Sequence, residues 1–386
     1  MLPRERVLTT LRHEEPDLVP WGEHSIDYTT YEMILGRETF VQAKFRQTQA
    51  EWDGRRDEIV ESYKRDVPAL AEALGLDIIS VPRCAPKGHH PAPLQKLDRE
   101  TYRDTAGNLY RISAATHDLM PYQLVGPPAE PPTVEALQAE IDRLDREGLA
   151  APEESVWEVA RDLIARYQPT HFINMCVGDI GFPGFGRTDE ERLMNLALYP
   201  ELHAKLTELA AKQCLAMVPW YADLGLDSIM PCGDLGSSTA LLASPRVFDE
   251  HVAPWLKVYV DEIHRHGLLA MKHCCGCIWE ALPGLVAAGY DAYEGIQASG
   301  GMDMKLLKER VGDDITLWGG VWNEHLILGT PADIDADARY AIRWGAPGGG
   351  FILGASHSLA VGTKLENLLE MKAARERYGV YPIPEE

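Results

Sequence analysis

Apolar positions along the chain alternate between two rhythms. Short, nearly continuous apolar runs recur at DIISVPR (77–83), HFINMCVG (171–178), DSIMPCGD (227–234), LLAMKHCCG (268–276), DAYEGIQ (291–297), ITLWGGV (315–321) and GGFILGASH (349–357). Such runs predict strands buried on both faces, the pattern of a parallel sheet. Between them lie segments with helical spacing, among them TVEALQAEIDRLD, SVWEVARDLIARY, residues 189–225, MDMKLLKERVG and TPADIDADARYAIRWGA. In the last of these Thr330 suits an N-cap and Pro331 the first helical position. SPRVFDEHVAPWLKVYVDEIHRHG predicts a helix with a proline-marked bend near residue 254.

The N-terminal third is less regular. Arg4 to Arg12 predicts a short helix, and Val19 and Trp21 fit a first strand fenced by Pro16 and Pro20. Residues 40–74 predict helix, TYRDTAGNLYRIS (101–113) a hairpin, and the proline-rich stretch 121–132 an extended loop. Six strand–helix units follow residue 165 and two strands precede it. The expectation is an α/β protein whose eight strands form a (β/α)8 TIM barrel, with a doubly wound sheet as the alternative. The whole of 1–386 forms one such domain in this reading, with an N-terminal helical and hairpin extension and insertions at 30–75 and 85–165.

Charge narrows the partners. With 37 Lys and Arg against 59 Asp and Glu, the net charge is −22. A surface that acidic works against nucleic-acid or anionic-membrane binding. No apolar leader follows Met1, and no run approaches the roughly 20 apolar residues that span a bilayer. The expected setting is cytoplasmic. Seven cysteines, an odd number with three packed into 273–277, do not read as a disulfide framework.

Chemistry gathers at the ends of the expected strands, where a barrel places its active site. Glu23, His24, Asp27, Arg83, Cys84, Asp179, Cys232, Asp234, His273, Cys275, Glu294, Gln297, Trp322, Asn323, Ser356 and His357 all fall there. The sharpest signal is His273-Cys274-Cys275-Gly276-Cys277. Side chains alternate along a strand, so His273 and Cys275 share a face. An imidazole and a thiolate so placed suit Zn2+, with His357, Asp234 or Cys277 to complete the set. The bland alternative is a group of small buried thiols. Asp227 and Asp291 read as turn residues, and His89 and His90 as a solvated loop. The EIHRHG segment (262–267) reads as a solvated helix end, and GAPGGGF (345–351) as a tight connection.

Several segments together resemble the uroporphyrinogen decarboxylase superfamily: RERVLTTLRHEEPDLVPW at the start, GLDSIMPCGDLGSSTALLASPRVFDEHVAPWLK centrally, then KHCCGCIWEALPGLVAAGYDAYEGIQ, LWGGVW, LGTPADI and GGGFILGASHSL. The resemblance implies a distorted (β/α)8 barrel. It also implies one of two chemistries: cofactor-free decarboxylation, or zinc-dependent methyl transfer paired with a corrinoid protein. Members of the second branch hold zinc through His-x-Cys and a later Cys. Here His273 and Cys275 match, and His357 stands where the later Cys would be. The decarboxylase branch carries an arginine-rich N-terminal loop, whereas WGEHSIDYTTYE has two Glu, one Asp and no Arg or Lys. Desolvating a many-carboxylate substrate beside those acids would cost several kcal/mol.

The expectation is therefore a zinc methyltransferase. His273, Cys275, His357 and Asp234 would hold the metal, with Asp234 and His357 also as acid–base groups. Trp21, Glu23, His24, Tyr28, Arg83, Gln297, Trp322 and Asn323 would contact substrate, and Tyr31 and Trp318 would add aromatic walls. The partners are a small methylated substrate (a methoxy-aromatic, methylamine or thiol) and a separate corrinoid protein; a homodimer is compatible with all of this. Two other classes stand beside it: a cofactor-free decarboxylase using Asp234 and His357, and a non-enzymatic metal- or ligand-binding barrel.

Overall fold

A computed structural model describes residues 1–127 and 130–384. Seven strands form one curled, wholly parallel sheet in sequence order: β1 Ile78–Ser80, β6 Phe172–Val177, β7 Ser228–Pro231, β8 Leu269–His273, β9 Ala292–Ile296, β10 Thr316–Val321 and β11 Phe351–Ala355. A second, antiparallel sheet inserted between β1 and β6 contains β2 Gln95–Lys96, β3 Thr101–Arg103, β4 Leu109–Ile112 and β5 Leu119–Gln123. The expected hairpin is thus the middle of four strands, and part of the proline-rich stretch is its edge strand; residues 128 and 129 of that stretch lie outside the described residues.

The barrel closes through a stave too short to be a strand. Trp21 bridges Leu353 of β11 in parallel, with Leu353 N–H donating to Pro20 O at 2.9 Å and Gly22 N–H to Leu353 O at 3.1 Å. On its other side Asp77 N–H donates to Trp21 O, and Trp21 N–H to Asp77 Oδ2, both at 2.8 Å. Pro20 lacks an N–H, so the ladder cannot extend; a side-chain carboxylate takes the place of strand pairing. The same Asp77 receives Arg6 and Arg375. The result is a distorted TIM barrel.

Its lower lumen is filled by one side chain from each of the seven strands: Ile78, Phe172, Met230, Met271, Ala292, Trp318 and Ile352. Val7, on the helix Pro3–Leu11, packs with them and plugs the floor. Gly22 holds the eighth place because a Cβ there would stand 2.8 Å from the Trp318 ring. Alternation then fixes the next layer upward. Two residues on from five of these positions come Ser80, Cys232, His273, Glu294 and, on the short stave, His24, with Cys176 four on from Phe172.

Two expectations change in detail. The helix foreseen over 40–74 is two helices, Lys44–Trp52 and Arg56–Leu74, parted at Gly54, whose φ is +69°. The bend foreseen near 254 is a π-helical turn over Phe248–Val252 that leads into the helix Ala253–Arg265, with Pro254 in its first turn. Asp227 and Asp291 are structural: Asp227 accepts Arg4 and the Ile173 N–H, and Asp291 accepts the Ala270 N–H and His264. No helix among the described residues is long and apolar enough to cross a membrane.

Candidate functional site

The upper lumen places His273, the last residue of β8, at the centre of a polar cluster. Its Nδ1 is hydrogen-bonded to Glu294 of β9. Its Nε2 lies 3.3 Å from Cys275 Sγ and 3.9 Å from Asp234 Oδ1. Asp234 Oδ1 also accepts the Cys275 backbone N–H at 2.9 Å, which ties the loop after β7 to the loop after β8. Cys274 faces the other way and is fully buried, its sulfur accepting the Leu235 N–H at 3.2 Å. Gly276 has φ +83°, and a Cβ there would stand 2.5 Å from Ser237 O; this turn carries Cys277 back onto Ser237 and out of the cluster.

Glu294 bridges two imidazoles. It accepts His24 Nδ1 at 2.9 Å through its other oxygen, and the His24 and His273 rings lie 4.2 Å apart. His24 Nε2 meets Ser358 Oγ at 3.0 Å. Burial opposes ionisation of Glu294, but the two imidazoles outweigh it and hold its carboxyl well below the usual range. Burial works against a charged His273, and Glu294 reverses that, raising it. Burial pushes the Cys275 thiol up, and Asp234 and Glu294 add to the effect; a cation between these groups would invert it. Burial also pushes Glu23 up to about 8, against the hydrogen bonds from Trp21 and Ala355.

The donor set fits a tetrahedral zinc ion. Bond lengths near 2.1 Å to N or O and 2.3 Å to S put neighbouring donors about 3.3–3.6 Å apart. Asp234, His273 and Cys275 offer ligand atoms that all lie within 4.8 Å of one another. With Nδ1 committed to Glu294, the His273 lone pair at Nε2 faces Cys275 and Asp234, the carboxylate–histidine arrangement that orients a metal ligand. His24, His273 and Glu294 form a second such group, but its atoms already satisfy one another.

The other expected residues are dispersed. His357 is exposed at the mouth, its ring edge-on to His273 with centroids 6.3 Å apart. The surrounding protein and the two nearby imidazoles lower its pKa. Trp21 and Trp318 are fully buried core, the Trp21 indole donating to Glu23 at 2.8 Å. Tyr28 bonds His117, of the inserted antiparallel segment, at 2.7 Å. Gln297 Oε1 accepts the Gly276 N–H at 2.9 Å, and Trp322 stacks on His325. Asn323 N–H donates to Ser356 Oγ at 3.0 Å. Arg83 and Tyr31 line a cavity beside β1.

Lys272 was not anticipated. It is fully buried on the far side of β8 from His273, and its ammonium meets Asp179, Gly233 O at 2.6 Å and His273 O at 2.7 Å. It thereby clamps both loops that carry the cluster. The signal in the sequence is a lone lysine inside an apolar strand, which demands a buried partner.

The sequence model of uroporphyrinogen decarboxylase (URO-D) matches residues 183–378, just over half of the chain. The chain belongs to the uroporphyrinogen decarboxylase family. The segment carrying the family signature contains Asp234, His273, Cys275, Glu294 and His357; His24, β1 and the cavity beside it lie outside. No curated protein matches the chain by sequence. Among solved structures, a methyltransferase from Methanosarcina mazei superposes with a TM-score of 0.65 at 18% identity, covering 98% of this chain and 99% of that one. That likeness shows a shared fold along nearly the full length of both chains. A family 18 chitinase from Flavobacterium johnsoniae reaches a TM-score of 0.35 at 11% identity, over 59% of this chain and 81% of that one, and carries no functional weight.

Proposed function

We propose that the protein is a zinc-dependent methyltransferase that moves a methyl group between a small methylated substrate and the cobalt of a separate corrinoid protein. The observation that carries this reading is the 3.3 Å approach of His273 Nε2 to Cys275 Sγ, with Asp234 beside them and Glu294 holding Nδ1. The full-length likeness to a protein named as a methyltransferase supports it. So does the absence of Arg and Lys from the N-terminal stretch 21–32, where the one imidazole, His24, is already engaged by Glu294.

His273, Cys275 and Asp234 would hold the ion, with His357 facing the remaining side. Bound there, Zn2+ supplies Lewis acidity, lowering the pKa of a thiol or drawing charge from a methyl-bearing oxygen. The chain's own residues do the rest. Glu294 keeps the Nδ1 proton of His273 and so fixes the tautomer that leaves Nε2 free. Lys272 holds the carbonyls of Gly233 and His273, fixing the distance between the two ligand-bearing loops. His357, exposed and held toward its neutral form, is placed to take up or release a proton at the mouth.

Metal analysis tests the reading. Purified protein is expected to hold about one zinc per chain, and Cys275→Ser much less, with methyl transfer to free cob(I)alamin falling in parallel. Equal zinc in both would overturn the ligand assignment. A metal-free wild type that releases carbon dioxide from a carboxylated substrate would establish the cofactor-free decarboxylase instead.

A further inference from the structure

A cavity of about 220 Å³ opens beside the polar ring, between β1, the N-terminal stave and the helix Arg56–Leu74. It shares three groups with the ring: His24, Cys176 and Ser80. His24 is the link to the cluster, since the same imidazole lines the cavity and lies against His273, the tilted rings 4.2 Å apart. The walls are mostly apolar, built by Ile26, Val41, Leu70, Ala71, Ile79 and their neighbours.

Two hydroxyl-bearing residues of its lining, Ser80 and Tyr63, have unused hydrogen-bonding capacity. Ser80 Oγ is buried and has no partner. The Tyr63 oxygen accepts two donors, the Gln42 N–H at 3.1 Å and Gln47 Nε2 at 2.8 Å, so its own proton is left to donate elsewhere. Gln42 lines the cavity from a left-handed backbone at φ +53°, a strained conformation for a non-glycine residue. A buried hydroxyl without a partner is destabilising, and an oxygen-bearing ligand would relieve it.

Size and charge restrict the occupant. An engineered apolar cavity of about 150 Å³ takes up benzene, so this one suits a single ring with one or two small substituents. Apart from His24, the cation among its lining residues is Arg83 at the rim, which also reaches Tyr221. The acid is Glu23, whose two oxygens already accept the Trp21 indole N–H and the Ala355 N–H, and whose burial favours the neutral form. Nothing in the cavity compensates a buried ammonium.

We propose that this cavity holds the non-reacting body of the substrate, a single-ring, oxygen-substituted molecule that is neutral or singly anionic, with Tyr63 and Ser80 as its specificity-determining contacts. The inference rests on the methyl-transfer reading for the word substrate, but not for the binding itself. It excludes methylammonium-type donors from the side pocket and sets the ring's oxygen toward His24, the side shared with the metal-ligand cluster.

Calorimetric titration with 2-methoxyphenol and with benzylamine, on protein as purified and after zinc removal by a chelator, tests it. Expected is binding of 2-methoxyphenol by both forms, at least about tenfold tighter than benzylamine. Tyr63→Phe, which keeps the ring, and Ser80→Ala should each weaken it about five- to tenfold. Ala71→Phe, which fills the space, should abolish it. Equal affinity for the two probes, or unchanged affinity in both Tyr63→Phe and Ala71→Phe, would overturn the proposal. Binding that survives zinc removal without any methyl transfer to cob(I)alamin by the zinc-loaded protein would sink the methyl-transfer reading and leave the cavity standing; transfer from 2-methoxyphenol with unaltered kinetics in Ala71→Phe would do the reverse.

Discussion

Single residues in the upper lumen owe their ionisation to what surrounds them, and Glu23 shows this most directly. Its carboxyl is 4% exposed and lies near Glu294, so burial raises it to about 8 although Trp21 and Ala355 donate to it. The folded state prefers the proton. Its contribution to stability is therefore full below the unfolded value near 4.5 and is lost as pH rises through about 8. Glu23→Gln, permanently neutral, should escape that loss. Urea midpoints at pH 5.5 and pH 8 should show the variant gaining on wild type as pH rises, by at most about 1.4 kcal/mol per unit; a constant gap would contradict the buried neutral acid. The sequence displayed His273 and Cys275 as a pair because strand alternation is local. It gave no reason to single out Glu294 as the group that orients both His273 and His24, because the contacts run across 21 and 270 positions.

At the scale of elements, β8 is the decisive strand. Its apolar run and its two-residue period, both legible in LLAMKHCCG, send Met271 and His273 to the lumen and Lys272 to the opposite side. What could not be read was Asp179, the partner that makes a fully buried ammonium tolerable. Lys272→Met should leave that carboxylate buried and unpaired, at a cost of roughly 3–5 kcal/mol. Adding Asp179→Leu should recover much of it, because two apolar groups need no partner. Denaturant midpoints of the single and double variants check this; a double variant no better than the single would mean that Lys272 acts chiefly through the Gly233 and His273 carbonyls. The short antiparallel sheet was harder to foresee. Strands of two to five residues carry too little periodicity to separate them from loop.

Over the whole molecule, closure of the barrel depends on Asp77 as much as on any strand. Its carboxylate joins Trp21, Arg6 and Arg375, drawing together the stave, the floor helix and the C-terminal helix Leu365–Tyr378. Asp77→Ala would strand Arg375, whose side chain is 6% exposed, beside Val19 O. A loss of about 3–5 kcal/mol is expected, read as a lowered thermal midpoint with the seam beside the cavity opening first in hydrogen exchange. Protection at Trp21 and Leu353 that matched wild type would refute that order.

The sequence by itself determined the alternation of strands and helices, the gathering of polar residues at the strand ends, and the shared face of His273 and Cys275. All three follow from short-range periodicity, which a linear chain displays openly. Only the tertiary structure decided which partners complete each group. It brought Asp234 to the cluster and left His357 at the mouth, because those distances depend on how loops from different strands curl over the lumen. It also spent Trp21, Trp318 and Tyr28 on packing and hydrogen bonds and formed the cavity from residues that no motif marks. A hollow is a property of what fails to fill space, and no pattern along the chain records it.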